Sequence, residues 1–383
     1  MKNLDDRYFM SRAIELAKNG IGATKTNPLV GCVIVRNEKI IGEGYHKVFG
    51  SCHAEVNAIN DAKAKGENLD DATLYVNLEP CSHYGKTPPC ADRIIEEKIS
   101  RVVIGNCDPF EKVSGRGIER LRNAGIEVEV GVLKEECEKL NERYFTYIKN
   151  NRPFVVLKSG MTIDGKIATR TYESQWITSE ESRKFSHELR GMCDGIMVGI
   201  NTVLKDDPTL NVREGRYLHS PARIIVDSRL RISPSAKVLS KDLENISIIA
   251  TTENCDREKF EILSKMENVN VVIVKEKNKM VDLRDLMEKL KIFNISSILL
   301  EGGGSLNASM LREKLVDKFY FFIAPKIIGS DGISAIGGMG IEKLDEAIGL
   351  KDVEVTKIAT DILIKGRMWS YFYRNNRRAR KIK

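Results

Sequence analysis

The sequence predicts an α/β protein built as two successive layered domains, and three observations carry that reading. A chain of 383 residues exceeds what one hydrophobic core normally organises. Apolar strand-like runs alternate with helical periodicities along the chain. That alternation is interrupted at "NNRPFVVLK" (residues 150–158), where Asn-Asn, Arg and Pro precede a fresh apolar run. The expected domains are 1–147 and 150–373, followed by a basic tail, 374–383.

Taken in order, Leu4 to Ala17 has helical apolar spacing, and "VGCVIV" and "KIIGEGY" read as a β-hairpin turning at Arg36 to Lys39. A helix over "HAEVNAINDAKAK" leads to a strand, "TLYVNL". Then come a helix at Ala91 to Lys98, the strand "RVVIG", a helix at Gly117 to Asn123, the strand "VEVGV" and a helix running to about Lys149. Beyond the break the expected strands are "FVVLKSG", "GIMVGI", "ARIIVDS", "ISIIAT", "NVVIV", "SSILLEG" and "KFYFFIAPKIIG". Helices are expected at Glu180 to Arg190, Asp282 to Lys291 and Ser305 to Arg312. The sequence contains neither an internal repeat nor a low-complexity tract.

Composition narrows the class. With 42% hydrophobic and 30% charged residues, and no run near the ~18 apolar residues a membrane span needs, the chain reads as a cytoplasmic globular protein with no membrane partner. The opening "MKNLDDRYFM" is acidic where a signal peptide would be basic and then apolar. Eight scattered cysteines read as reduced thiols rather than a disulfide framework. Much of the net charge of +7 sits in the tail "RNNRRARKIK", so a nucleic-acid partner is not expected; a positive balance suits anionic, phosphorylated small substrates. A homo-oligomer is the expected assembly.

Two thiols with eight residues between them stand in "NLEPCSHYGKTPPC" (residues 77–90), about one helix and one strand after "CHAEVNAI" (residues 52–59). His53, Cys81 and Cys90 together offer zinc three ligands and leave one coordination position open, the pattern of a catalytic rather than a structural site. Glu55 follows His53 by two residues, so on a helix it points elsewhere and is free to move protons. His-x-Glu followed by Pro-Cys…Cys is the signature of zinc deaminases, in which a metal-activated water attacks an amino-bearing ring carbon. The wide cysteine spacing departs from the Cys-x-x-Cys of that signature. A non-catalytic zinc-stapled protein is the bland alternative, and Glu55 argues against it.

These residues carry a more specific resemblance. "TNPLVG", "HAEVNAI" and "EPCSHYGKTPPC" resemble the deaminase half of the bifunctional riboflavin-biosynthesis deaminase/reductase family, in which the wide spacing is characteristic. The resemblance implies a cytidine-deaminase-like three-layer domain over residues 1–147, one Zn²⁺ per chain, and a diaminopyrimidinone substrate carrying ribose 5-phosphate. Lys86 and His83 suit a phosphate, Asn27 offers an amide to a pyrimidine edge, and His46 is a further candidate.

In the second domain "SILLEGGGSLNASML" (residues 297–311) reads as buried strand, glycine turn and helix, an arrangement that presents free N–H groups to a phosphate. It lacks the order of a Rossmann or mononucleotide P-loop motif. "GMTIDGKIAT", "ESQWITSEESR" and "VGINTVLKDDPTLNVR" resemble the reductase half of the same family. That implies a dihydrofolate-reductase-like fold, with NADPH reducing the ribose to a ribityl chain. By the same resemblance Gly160, Trp176, Thr202, Asp206 and the run Gly303, Gly304, Ser305, Leu306, Asn307, Ala308 and Ser309 line the cofactor. Ser174, Arg190, Leu210, Arg213 and Glu301 meet the substrate, Arg190 and Arg213 as forks for its phosphate. Ser228 and Arg229, after the strand "ARIIVDS", are placed to recognise an adenosine 2′-phosphate. Met161 stands where the family has a small residue, and Lys158, Asp164 and Lys166 share its stretch. The competing class is a nucleic-acid or nucleoside deaminase with an accessory domain.

Overall fold

The computed structural model describes residues 5–82, 84, 88–110, 114–217, 219–241 and 243–369. It divides into two compact units between Arg152 and Pro153.

The first unit runs α1 (Asp6–Ala17), β1 (Gly31–Arg36), β2 (Lys39–Tyr45), α2 (Ala54–Ala64), β3 (Thr73–Val76), α3 (Cys90–Glu96), β4 (Arg101–Ile104), α4 (Arg116–Asn123), β5 (Glu127–Val130), α5 (Lys134–Leu140) and α6 (Glu142–Asn150). Its sheet has the order β2-β1-β3-β4-β5, antiparallel at β1 and parallel from β3 to β5. The two-residue alternation of β1 builds three layers: Cys32 and Ile34 join the core beneath α2, α3 and α4, while Val33 and Val35 join Phe9, Met10 and Ala13 of α1 on the opposite face. Gly42 and Gly44, on one face of β2, let α2 lie directly on the strand; a Cβ on Gly44 would stand 2.4 Å from the Ala58 nitrogen.

The expected single helix ending near Lys149 is broken at Asn141. That residue is buried, its Oδ1 accepting from the Leu29 N–H at 2.8 Å and its Nδ2 donating to the Leu29 carbonyl at 2.9 Å, so it ties the loop before β1 to the gap between α5 and α6.

The second unit contains β6 (Phe154–Thr162), β7 (Lys166–Ala168), α7 (Glu180–Gly191), β8 (Gly195–Gly199), α8 (Ile200–Asp206), β9 (Ala222–Val226), β10 (Ser247–Thr251), α9 (Arg257–Ser264) and β11 (Val269–Ile273). There follow β12 (Glu276–Lys277), β13 (Met280–Val281), α10 (Leu283–Lys289), β14 (Ser297–Leu300), α11 (Gly304–Arg312), β15 (Lys318–Ala324), β16 (Ile333–Ser334), β17 (Leu350–Ile358) and β18 (Asp361–Met368). Nine strands form one sheet, β11-β10-β9-β8-β14-β6-β15-β18-β17, parallel from β11 to β15 and antiparallel at the last two. One core packs beneath Met197, Ile224 and Leu300, another beneath Ile196, Val198 and Ile225 on the other face.

The strand read through "KFYFFIAPKIIG" stops at Ala324, one residue before Pro325, whose ring restricts the residue before it and which has no N–H to continue a ladder. The hairpin β17–β18 and the helices α8 and α9 were not expected from the sequence. Among the described residues no helix is long and apolar enough to cross a membrane.

Candidate active sites

In the first unit three segments bring together the candidate sulfur and nitrogen ligands for a metal ion. His53 is the extended residue capping α2, Cys90 opens α3, and Cys81 lies in the loop between β3 and α3. The His53 Nδ1 is 3.2 Å from the Cys90 sulfur and 3.5 Å from the Cys81 sulfur, and the ligand atoms of all three lie within 4.8 Å of one another. The Cys90 N–H also donates to the Cys81 sulfur at 3.3 Å.

The protonation chemistry fits a dication. Hydrogen bonding from Cys90 pulls the Cys81 thiol down to about 4 against its burial, while the same partnership pushes Cys90 up; the bond to Cys81 raises the His53 imidazole to about 9. Protons shared among three soft ligands are what a zinc ion displaces on binding.

Glu55 sits one helical residue inside α2, 3% exposed, and burial pushes its carboxyl up to about 7. His46 is buried, its ring edge-on to His53 at 5.5 Å between centroids. Its Nδ1 lies 3.1 Å from the Cys52 carbonyl and its Nε2 3.0 Å from the Asn27 amide nitrogen; a neutral ring donating from Nδ1 and accepting at Nε2 satisfies both, and burial favours that form. A cavity of about 330 Å³ gathers Asn27, His46, His53, Glu55 and Cys81. His83 and Lys86 lie outside the described residues.

The same cavity is lined by residues that sequence reasoning passed over, Glu79, Asp108 and Tyr144. The buried Glu79 carboxylate accepts from the backbone N–H groups of Asp108, Gly115, Gly117 and Ile118 at 3.0–3.3 Å, clamping the loop after β4 to the "EP" beside Cys81. Asp108 accepts from the Tyr144 hydroxyl at 2.9 Å, and burial raises its carboxyl. Its place just beyond the carboxyl end of a parallel strand was the available signal.

In the second unit a cavity of about 450 Å³ opens at the carboxyl ends of β9, β8 and β14, the crevice position typical of ligands in parallel sheets. Ser174, Thr202, Asp206, Gly303, Gly304, Ser305, Leu306 and Ser309 line it. Gly303 caps α11, and a Cβ there would stand 3.7 Å from the Thr202 hydroxyl; one on Gly304 would be 2.3 Å from the Ser334 carbonyl. This glycine turn and the N–H groups opening a nine-residue helix suit a pyrophosphate lying close to backbone. Sequence reasoning missed Tyr172, Asn201, Lys205 and Arg231 in the lining.

Other expected residues stand apart from that cavity. A Cβ on Gly160 would meet the Thr178 side chain at 3.2 Å, and Trp176 is 61% exposed beneath the Arg183 guanidinium, 4.4 Å from its ring centroid. Ser228 is buried, its hydroxyl accepting from the Val281 N–H at 3.0 Å. Asn307 and Ala308 are buried on the inner side of α11, with the Asn307 amide donating to the Ala335 carbonyl at 2.9 Å. The Leu210 side chain packs in the core. Arg229 donates to the Asn254 carbonyl and lies 3.9 Å from Glu276.

Arg190 does not offer its fork to a phosphate: Nε and Nη2 donate to the two Glu301 oxygens at 2.9 and 2.8 Å, and Nη1 donates to the Asn211 carbonyl. Burial opposes ionisation of Glu301, yet the charges of Arg190 and Lys158 hold it down at about 2. Burial in turn pushes the Lys158 ammonium down, against the pull of Glu301. The Arg213 N–H faces His187 Nδ1 at 3.5 Å, and burial beside two arginines keeps His187 neutral, at about 4.

Residues 3–106 match the family model of the cytidine and deoxycytidylate deaminase zinc-binding region, and residues 153–364 that of the RibD C-terminal domain. Fold and sites thus define a class, a two-unit α/β enzyme with a zinc-type deaminase domain ahead of a reductase domain. The riboflavin biosynthesis protein RibD of Actinobacillus pleuropneumoniae is 46% identical over 364 residues, 95% of each chain, and that of Aquifex aeolicus is 45% identical over 94% of this chain and 97% of its own. A solved Thermotoga maritima structure, described as a diaminohydroxyphosphoribosylaminopyrimidine deaminase/5-amino-6-(5-phosphoribosylamino)uracil reductase, is 38% identical with a TM-score of 0.83, covering 95% of this chain and 99% of that one. Acinetobacter baumannii RibD superposes over the same shares with a TM-score of 0.84 at 33% identity. The chain belongs to the RibD family of bifunctional deaminase/reductases of riboflavin biosynthesis.

Proposed function

We propose that the first unit hydrolytically deaminates 2,5-diamino-6-ribosylamino-4(3H)-pyrimidinone 5′-phosphate. The second unit then reduces the ribosyl group of the resulting 5-amino-6-(5-phosphoribosylamino)uracil to ribityl, with NADPH as donor. The observation that carries this reading is the convergence of His53, Cys81 and Cys90 within 4.8 Å beside a buried Glu55. One Zn²⁺ held by the three would supply a water acidic enough to act as nucleophile near neutral pH.

Glu55, held at about 7, exists in both protonation states at neutral pH, so it can take a proton from that water and return one to the departing amine. Asn27 and Asp108 present an amide and a carboxyl to the polar edges of the pyrimidine, and His46 fixes the Asn27 amide. His83 and Lys86 are assigned to the phosphate. In the second unit the Gly303–Ser305 turn takes the pyrophosphate of NADPH, which supplies the hydride. Arg190 holds Glu301 ionised toward the sugar hydroxyls. The exposed apolar Val353 and Val355 on the edge strand β17 support self-association.

The nucleic-acid deaminase reading gives way to the reductase-domain match over residues 153–364. Mass analysis of products from the phosphorylated diaminopyrimidinone tests the proposal. Without NADPH one amino group should become oxygen; with NADPH two hydrogens should be added as well. A substrate recovered unchanged under both conditions would sink it.

A further inference from the structure

Glu79 lines the first unit's cavity with Cys81 and Asp108, yet its carboxylate is filled by backbone. Oε1 accepts from the Gly117 and Ile118 N–H groups at 3.0 and 3.3 Å, and Oε2 from those of Gly115 and Asp108 at 3.0 and 3.2 Å. Gly117 and Ile118 are the second and third residues of α4, whose N–H groups a capping side chain normally satisfies; Gly115, which precedes α4 with a φ of 78°, has no side chain to do so. Glu79 caps the helix from another segment, and its negative charge suits a helix N-terminus.

Capping alone does not require the bond to Asp108. The Glu79 N–H also donates to the Asn106 carbonyl at 2.9 Å, so this residue holds the chain where it leaves β4 as well as where it enters α4. The Asp108 carboxyl is fixed separately, Oδ1 accepting from the Phe110 N–H at 2.8 Å and from the Tyr144 hydroxyl at 2.9 Å. Among the described residues none donates to Oδ2, which leaves that oxygen for a ligand in the cavity that Asp108 lines. Toward the thiols, Pro80 and Cys81 follow Glu79 directly, and α4 sits so close to them that a Cβ on Gly117 would stand 2.1 Å from the Pro80 carbonyl.

We infer that Glu79 is a positioning residue for deamination: with Tyr144 it holds Asp108 in register with the Cys81 side of the cavity, and so sets how tightly the pyrimidine is bound. The inference rests on the reading of Asp108 as a partner of the pyrimidine. Glutamine at position 79 would keep the size, but its single oxygen can satisfy one pair of N–H groups while its NH₂ faces the other pair, donor against donor. One end of the segment is released whichever way the amide turns.

The test measures steady-state deamination of the phosphorylated diaminopyrimidinone by the full chain, with zinc content, for wild type, Glu79→Gln, Tyr144→Phe, Asp108→Ala and Glu79→Gln/Asp108→Ala. Glu79→Gln should raise KM by about 10-fold or more, with kcat within about threefold and zinc unchanged. Tyr144→Phe leaves the backbone clamp in place and should raise KM by about 3- to 10-fold. In the Asp108→Ala background Glu79→Gln should change KM by less than about twofold, because the group it positions is gone. Full additivity in the double variant, a wild-type KM in Tyr144→Phe, or zinc lost from Glu79→Gln would make Glu79 a general scaffold residue and overturn the assignment. A wild-type KM in Asp108→Ala removes the reading of Asp108 itself, and a substrate left unchanged by wild type removes the deaminase reading, each taking this inference with it.

Discussion

Glu55 and Glu301 are both buried carboxyls, and their surroundings drive them in opposite directions. Around Glu55 desolvation wins and the carboxyl rises to about 7; around Glu301 two cations win and it falls to about 2. Glu55→Gln keeps size and hydrogen bonding but cannot carry a proton. Deamination should fall by ~10² to 10⁴, with zinc content unchanged; zinc lost from the purified variant would make Glu55 a ligand instead. In chelated protein the folded state binds more protons than the unfolded between 4.5 and about 7, so this group makes stability decline as pH rises through that window. Thermal midpoints at about pH 5 and about pH 7.5 should therefore differ less in Glu55→Gln than in wild type. For Glu301 the sign reverses, its contribution being present above 4.5 and lost as pH falls through about 2. Arg190→Met strands that carboxylate, whose side chain is 13% exposed, and should cost about 3 kcal/mol or more in urea unfolding, largely recovered in Arg190→Met/Glu301→Leu. A single variant as stable as wild type would show that Glu301 finds its compensation elsewhere.

At the scale of elements, α2 is the part on which the deaminase site hangs, and β2 sets its height. The Gly44 hydrogen faces the α2 backbone, where a methyl would come within 2.4 Å of the Ala58 nitrogen and 2.5 Å of the Ala54 carbonyl. Gly44→Ala should cost about 1–3 kcal/mol by overpacking. Because the displaced helix carries His53 and Glu55, zinc should also be lost faster to a chelator, while NADPH oxidation with deaminated substrate stays near wild type. Zinc release at the wild-type rate in a destabilised Gly44→Ala would show that the ligands adjust independently of α2. Strand β2 itself is legible from "KIIGEGY", but the need for glycine at this position arises only once a helix lies on it.

Across the whole molecule, the candidate residues for the two chemistries fall in different compact units. Asp206→Ala removes the carboxylate lining the second cavity and should impair NADPH oxidation while leaving deamination within about twofold. Chelation should do the reverse, abolishing deamination while NADPH still binds with unchanged affinity. Loss of NADPH binding on chelation, read by fluorescence titration, would mean that the metal supports both units.

Much of this organisation was written locally. Alternation along β1 specifies two buried faces whatever packs on them, glycine after "SILLE" announces a turn, and the mixed thiol and imidazole set with Glu55 announces zinc chemistry, because each depends on residues close in the chain or on ligand type alone. The β17–β18 hairpin escaped notice because β17 is an exposed edge whose apolar alternation is confined to Val353 and Val355 among charged neighbours, too short to stand out. The sequence by itself therefore determined the α/β class, most of the strands and the chemical kinds of residue available. Only the tertiary structure decided which of those residues meet: that β14 inserts between β8 and β6, that Arg190 spends its fork on Glu301, that Asn141 breaks a helix to hold Leu29, and that Arg231 rather than Arg229 faces the cavity. These are choices among chemically equivalent groups, settled by sheet order and by which buried polar atom needs a partner, and neither is encoded in neighbouring residues.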